Sequence, residues 1–214
     1  MLIAGLDEAG KGSVIGPMII GAVVIEEGEQ SILENLGVKD SKKLSSKKRE
    51  QIAKVIKSRF QHFEYEVSAS EIDQLRKNLT MNDIMVLCFS RVLNQLKISK
   101  AIVDAADVNP RRFAWKLKQN TAGVEIQAEH KADEKYTLVG AASIIAKVKR
   151  DLRLRELEHK LRRQIGSGYP ADSRTRRFLI ECLKNCELPD CIRLSWKTTR
   201  MLIKSESIKP IRPK

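Results

Sequence analysis

Three short strand-like segments that each lead into an acid constrain this chain more than any other feature. Leu2 to Leu6 is followed at once by Asp7 and Glu8, Ala101-Ile102-Val103 by Asp104, and Val124 to Ala128 by Asp133 a few residues on. Leu2 to Leu6 reads as a buried strand, Ala101 to Val103 as a brief apolar one and Val124 to Ala128 as a fifth. Acids that follow such strands gather at the carboxyl edge of an α/β sheet, where open sheets collect their functional groups. Asp and Glu also end strands because they favour turns and solvent, so any one of them alone says little.

The rest of the pattern fits that frame. Pro17 to Ile25 is a second strand, with Pro17 at its first position, where a missing N–H does little harm. A glycine-rich link, Gly10 to Gly16, joins it to the first. Ser45 caps a helix carrying Ile52, Val55, Ile56 and Phe60. His62 to Ser68 alternates as an edge-like third strand, and Thr80 caps a helix with Asp83 in its first turn. Pro110 opens a helix between the fourth strand and the fifth. A long helix runs from about Tyr136, with Leu138, Ala142, Ile145, Val148 and Leu152 at helical spacing, and Gly166 to Pro170 breaks it. Two shorter helical patterns follow, Arg174 to Leu183 and Trp196 to Ile203. Strands first, then alternating elements, then helices imply an α/β class: a five-stranded mixed sheet flanked by helices, with a helical C-terminal extension. The expected division is a core over 1–164, the extension over 165–204 and a frayed tail over 205–214.

Charge separates those regions. Residues 1–134 hold 20 basic and 19 acidic side chains, whereas residues 135–214 hold 20 and 8, so nearly all of the net +13 lies in the last third. A basic region attached to a balanced one is the footprint of a polyanion partner such as nucleic acid, or else a solvated helical surface. Apolar residues at 42% exclude wholesale disorder. The most apolar stretch, Val14 to Ile25, is interrupted by Gly16, Pro17 and Gly21 and is too short to span a bilayer. With no signal-peptide pattern, a cytoplasmic chain is expected. Cys88, Cys182, Cys186 and Cys191 lack zinc-site spacing and read as buried free thiols.

Carboxylates converging at one sheet edge repel unless cations compensate. Mg²⁺ and Mn²⁺ prefer oxygen ligands and reach substrate phosphates, so such a cluster points to metal-assisted phosphodiester hydrolysis, with two ions about 3.5–4 Å apart. The local sequence sharpens this. Gly5-Leu6-Asp7-Glu8-Ala9-Gly10-Lys11-Gly12 with Gly16-Pro17, Asp40-Ser41-Lys42-Lys43-Leu44, Val103-Asp104-Ala105-Ala106-Asp107-Val108, His130-Lys131-Ala132-Asp133, Ala141 to Val148, and Gly166-Ser167-Gly168-Tyr169-Pro170 stand in order along nearly the whole chain to Trp196-Lys197-Thr198. Together they resemble the ribonuclease HII family, in its archaeal branch.

The resemblance implies a ribonuclease H-like fold. It implies endonucleolytic cleavage of RNA in RNA–DNA hybrids and 5′ of ribonucleotides embedded in duplex DNA, leaving 5′-phosphate and 3′-hydroxyl ends, with Mn²⁺ or Mg²⁺ as cofactor. By the same resemblance Asp7, Glu8, Asp104 and Asp133 are the metal-binding and catalytic acids. Gly10, Lys11 and Gly12 track the ribose and backbone, Tyr169 packs on the neighbouring deoxyribose, and Lys42 and Lys43 contact phosphates. Read without it, the glycines form a plain turn and Tyr169 a packed surface ring. Many relatives carry arginine where this chain has Lys11; lysine keeps the charge and loses the fork geometry. Asp107, Asp151, His130 and Glu134 lie near the motifs and stay outside the primary set.

Two other readings explain the acids and the basic end: a nuclease of the same fold that cuts DNA, and a non-catalytic hybrid-binding module with salt-sensitive affinity. Ribonuclease HIII carries an added N-terminal domain, for which a first motif at Asp7 leaves no room. Some archaeal relatives end in a peptide that binds the sliding clamp. Ser207 to Lys214 has no paired aromatics, so no clamp docking is expected, and the default is a monomer.

Overall fold

The computed structural model describes residues 1–38 and 44–205. The expected phosphate contacts Lys42 and Lys43, and the tail beyond Ser205, lie outside the described residues. The strands are β1 (Leu2–Ala9), β2 (Met18–Glu26), β3 (Gln61–Val67), β4 (Lys100–Asp104) and β5 (Glu125–Glu129). The helices are α1 (Gln30–Asn35), α2 (Ser46–Arg59), α3 (Ala69–Leu75), α4 (Met81–Leu93), α5 (Pro110–Gln119), α6 (Ala132–Lys135), α7 (Thr137–Leu161), α8 (Ser173–Lys184) and α9 (Lys197–Ser205).

The sheet runs β3-β2-β1-β4-β5. β1 pairs antiparallel with β2 and parallel with β4, and β4 pairs parallel with β5, so the sheet is mixed as expected. Burial explains the sequence pattern: β1 and β2 are buried along nearly their whole length, while β3 and β5 are half-covered edges. Continuous apolar runs mark strands covered on both faces. Ser45 and Thr80 cap α2 and α4 through their side chains, and Thr80 and Asp83 close a reciprocal capping box.

The chain gathers into two compact units, each made of several segments. The first comprises Met1–Ala9, Ile19–Tyr65 and Thr80–Lys149; the second gathers Gly10–Met18, Glu66–Leu79 and the chain from Arg150 onward. Chain order hides this division, because the glycine-rich link and α3 join the C-terminal helices and α7 contributes residues to both. The first unit has a core of Ile3, Val23, Ile25, Ile52, Ile56, Leu138 and Ile145. There α7 lies so close to β2 that a Cβ on Gly21 would stand 2.4 Å from the Ala142 carbonyl oxygen. The second unit has its own core, including Val14, Ile15, Leu154, Phe178, Leu179 and Ile192. No helix among the described residues is long and apolar enough to cross a membrane.

Candidate active site and its supporting loops

In the first unit, β1 runs through Asp7 and Glu8 to Ala9 rather than ending before them. The parallel register places Leu6 beside Val103, which brings Asp7 alongside Asp104, the last residue of β4. Ligand oxygens of Asp7, Glu8 and Asp104 lie within 4.8 Å of one another. Asp7 is 6% exposed. Burial, then the charges of Glu8 and Asp104, push its carboxyl well above the usual carboxylate range, against hydrogen bonds from the Ser143 hydroxyl and the Glu8 backbone N–H. The latter donates to Asp7 Oδ1 at 2.7 Å.

Asp133 is not one of those three. It is buried, in the short helix α6 instead of at a strand end, one residue after Ala132, whose N–H donates to Asp104 Oδ1 at 2.7 Å. The structure therefore brings together three of the four expected acids and fixes Asp104 through the start of the helix that carries the fourth. Ser143 makes a contact that sequence reasoning missed; its only signal was its place inside the Ala141–Val148 block.

The neighbouring polar residues resolve into structural roles. Asp107 is held by Arg112, with Nε donating at 3.1 Å, and by the Asn109 N–H at 3.0 Å, which keeps its carboxyl below the usual range. His130 Nε2 sits 3.0 Å from the Val108 carbonyl, a hydrogen-bonding role as expected. Cys88, Cys182 and Cys191 are buried free thiols, whereas Cys186 is exposed, against expectation, at a left-handed turn after α8.

In the second unit the glycine-rich link is wired to two buried arginines. Gly10 has φ +90°, and a Cβ there would meet Arg150 Nε at 2.4 Å and the Pro17 carbonyl at 2.7 Å, so only glycine fits. Val14 and Ile15 N–H groups donate to the Gly168 carbonyl at 2.8 and 3.2 Å. Arg193 donates to Gly16 O from Nε (3.1 Å) and Nη2 (2.9 Å), and to Lys11 O from Nη1 (3.1 Å), with its guanidinium 4.8 Å from the Trp196 ring centre. Burial, and secondly the charge of Arg150, bring Arg193 down to about 9.

Arg150 donates to Ser167 O at 2.8 Å and lies 4.8 Å from the centre of the Tyr169 ring, while its Nε and Nη1 are buried without a hydrogen-bond partner among the described residues. The Tyr169 ring edge would lie 3.8 Å from a Cβ on Gly12. Asp172 accepts from the Ser167 N–H at 2.8 Å, and Thr175 Oγ1 accepts from the Gly168 N–H at 3.0 Å, which fixes the loop carrying Tyr169. Gly10, Lys11, Gly12 and Tyr169 are thus parts of one braced assembly. Neither arginine was identified from sequence, because an Arg inside a helix or a loop gives no sign that tertiary packing will bury it.

The sequence model of the ribonuclease HII family matches residues 4–199. This chain belongs to the ribonuclease HII family. Ribonuclease HII of Methanosarcina barkeri is 51% identical over 209 residues, covering 92% of this chain and 93% of that relative. The ribonuclease H2 of Pyrococcus horikoshii superposes with a TM-score of 0.89 at 40% identity, over 96% of this chain and 98% of that one. The ribonuclease HII of Archaeoglobus fulgidus, solved as a complex with PCNA, gives 0.87 at 40% identity over 100% and 98%.

Membership in the ribonuclease HII family makes the chain a hydrolase of the ribonuclease H class, with the ribonuclease H-like fold expected from its motifs. The PCNA complex belongs to the A. fulgidus ribonuclease HII, but it shows that a close structural relative does assemble with PCNA. The expectation that this chain does not dock on the clamp rests on residues 207–214, outside those described, and is withdrawn.

Proposed function

We propose that this ribonuclease HII hydrolyses the RNA strand of RNA–DNA hybrids and cuts 5′ of ribonucleotides embedded in duplex DNA, leaving 5′-phosphate and 3′-hydroxyl ends. The observation that carries the reading is the convergence of Asp7, Glu8 and Asp104 with Asp7 buried among like charges. Such a set is stable in its ionised form only beside a cation, and three carboxylates offer the all-oxygen donors that Mg²⁺ and Mn²⁺ prefer. Asp7, Glu8 and Asp104 would hold the metal, with Asp133 as the fourth acid. A pair of divalent ions bound there supplies Lewis acidity for phosphodiester hydrolysis. Ser143 and the Glu8 N–H orient the Asp7 carboxylate, and the Ala132 N–H orients that of Asp104.

In this reading the backbone of Gly10, Lys11 and Gly12 contacts the ribonucleotide. Glycine lets the main chain approach a 2′-hydroxyl, the group that separates RNA from DNA. Tyr169 packs on the adjacent deoxyribose, leaving no room for a second hydroxyl. Lys42 and Lys43 contact phosphates.

The test is a labelled DNA duplex with one ribonucleotide, incubated with Mg²⁺ or Mn²⁺ and then with chelator. Cutting 5′ of the ribonucleotide, absent in chelator and in an all-DNA control, is expected. Cutting of the control would make the substrate DNA, and binding without any cutting would make the chain a hybrid-binding module.

A further inference from the structure

Arg76, at the C-terminal end of α3, faces a cavity of about 380 Å³ that it shares with Ser195, Lys197, Arg200, Met201 and Lys204. Lys197, Arg200 and Lys204 are spaced i, i+3, i+7 on α9, which sets them along one face of that helix. Among the described residues, four cations line this cavity and no carboxylate does. Arg200 is held in place by donating from Nε and Nη2 to the Ser195 carbonyl, at 3.0 and 2.5 Å. The Ser195 hydroxyl is buried and has no hydrogen-bond partner among the described residues. Asp73, an acid on α3, accepts the Leu194 and Ser195 N–H groups at 2.8 and 3.0 Å.

A second basic cavity in the same unit shows what a purely structural arrangement looks like. It is lined by Arg163, Arg174 and Arg177 together with Glu181. Arg163 pairs with Glu181 at 3.0 Å, and Arg174 pairs with Asp172 at 3.1 Å. There two of the three arginines are paired with acids of the fold, and one of those acids, Glu181, lines the cavity itself. Around α9 no acid of the cavity lining does this among the described residues, and four like charges about one cavity repel until an anion joins them.

We propose that Arg76, Lys197, Arg200 and Lys204 form a site for the phosphates of a nucleic-acid backbone, made of none of the residues assigned to the cleavage junction. The inference rests on the reading above only in that the chain handles nucleic acid. A polynucleotide fits better than an acidic protein segment because guanidinium forks match phosphate oxygens and, among the described residues, Met201 is the one apolar side chain in the lining. The contacts are to phosphate, so they raise affinity without reading sequence or the 2′-hydroxyl.

The experiment compares Lys197→Gln/Lys204→Gln with an equal charge loss on α8, Arg176→Gln/Arg177→Gln. Binding of an RNA–DNA hybrid is measured in chelator across a salt series, where no cleavage intervenes. Removing one phosphate contact lowers the slope of log affinity against log salt by about 0.9, so the α9 double variant is expected to lose roughly 2 and the α8 variant far less. Turnover at saturating substrate should be unchanged in the α8 variant, and matching thermal midpoints confirm folding in both. Equal slope losses in both variants overturn the site in favour of net charge alone. An unchanged slope in the α9 variant also overturns it, and leaves the cavity to an acidic protein segment. Because binding is read without cutting, a chain that never cleaves still tests this site.

Discussion

The strand-end acids and the braced glycine link both bury like charges, and they resolve the resulting repulsion in opposite ways. At Asp7, Glu8 and Asp104 the neighbours add to the problem: burial and two adjacent carboxylates all disfavour the ionised Asp7. Relief has to come from a cation outside the chain. Arg193 and Arg150 are desolvated as well, but the fold gives Arg193 three hydrogen bonds to backbone carbonyls and Arg150 one, and sets the faces of Trp196 and Tyr169 against them. The first arrangement is built to receive something; the second is built to hold a backbone in shape.

The strongest attack on that contrast is Asp104→Asn, which should abolish cleavage, by about a thousandfold or more given the several kcal/mol a metal contributes, while hybrid binding and folding stay near normal. Single-turnover cleavage beside a binding isotherm checks it; full activity would remove Asp104 from any metal site. Next in size, Arg193→Ala should lower stability by about 3 kcal/mol in urea unfolding, because the Gly16 and Lys11 carbonyls lose their buried donors. Arg193→Lys should restore only part. If Arg193→Ala unfolds at the normal urea concentration, that arginine is not what braces the link.

A slightly smaller effect tests the acids by stability alone. The folded pKa of Asp7 lies above its ordinary 3.8, so its contribution to stability is fully present below that pH and is lost as pH rises through the folded value. In chelator at neutral pH, Asp7→Asn should therefore melt higher than the natural chain. Mn²⁺ at a hundredfold excess over its Kd should stabilise the natural chain by about 2.7 kcal/mol and the variant much less. Identical melting of the two in chelator would mean that Asp7 carries no charge penalty. The smallest effect sharpens the other side: a thiol reagent should modify exposed Cys186 quickly and Cys191, pushed up to about 12 by burial, very slowly. Arg193→Ala should speed the slow phase, since Cys191 pairs through its carbonyl with the Gly16 N–H beside that arginine.

Much of this was legible in the sequence where the signal is local. Strand runs, the Ser45 and Thr80 caps and the order of the elements depend on neighbours a few residues away, and the structure reproduces them. Even α3, too short to show a period, had its signal in Ser68 as a cap with Glu71 in the first turn. What the sequence did not show was non-local. Asp133 lies in a four-residue helix that carries no apolar pattern of its own, and β1 continues through Asp7 and Glu8 because pairing with Gly21 and Ile20 overrides their preference for turns. The grouping of the link with residues from 150 onward depends on Gly168, Cys191 and Arg193, far along the chain.

The Arg193 contacts also give the glycine link a polarity. Carbonyls of Gly10, Lys11, Val14 and Gly16 are each taken up by donors from the protein itself: Ser13, Arg193 side chain, Arg193 backbone and Arg193 side chain again. The acceptor half of the Gly10–Lys11 and Lys11–Gly12 peptides is committed inward, so the face these two peptides can offer a ligand is weighted away from acceptors. That bias is written into the main chain and anchored 177 residues away from Gly16, and it persists whichever basic side chain occupies position 11.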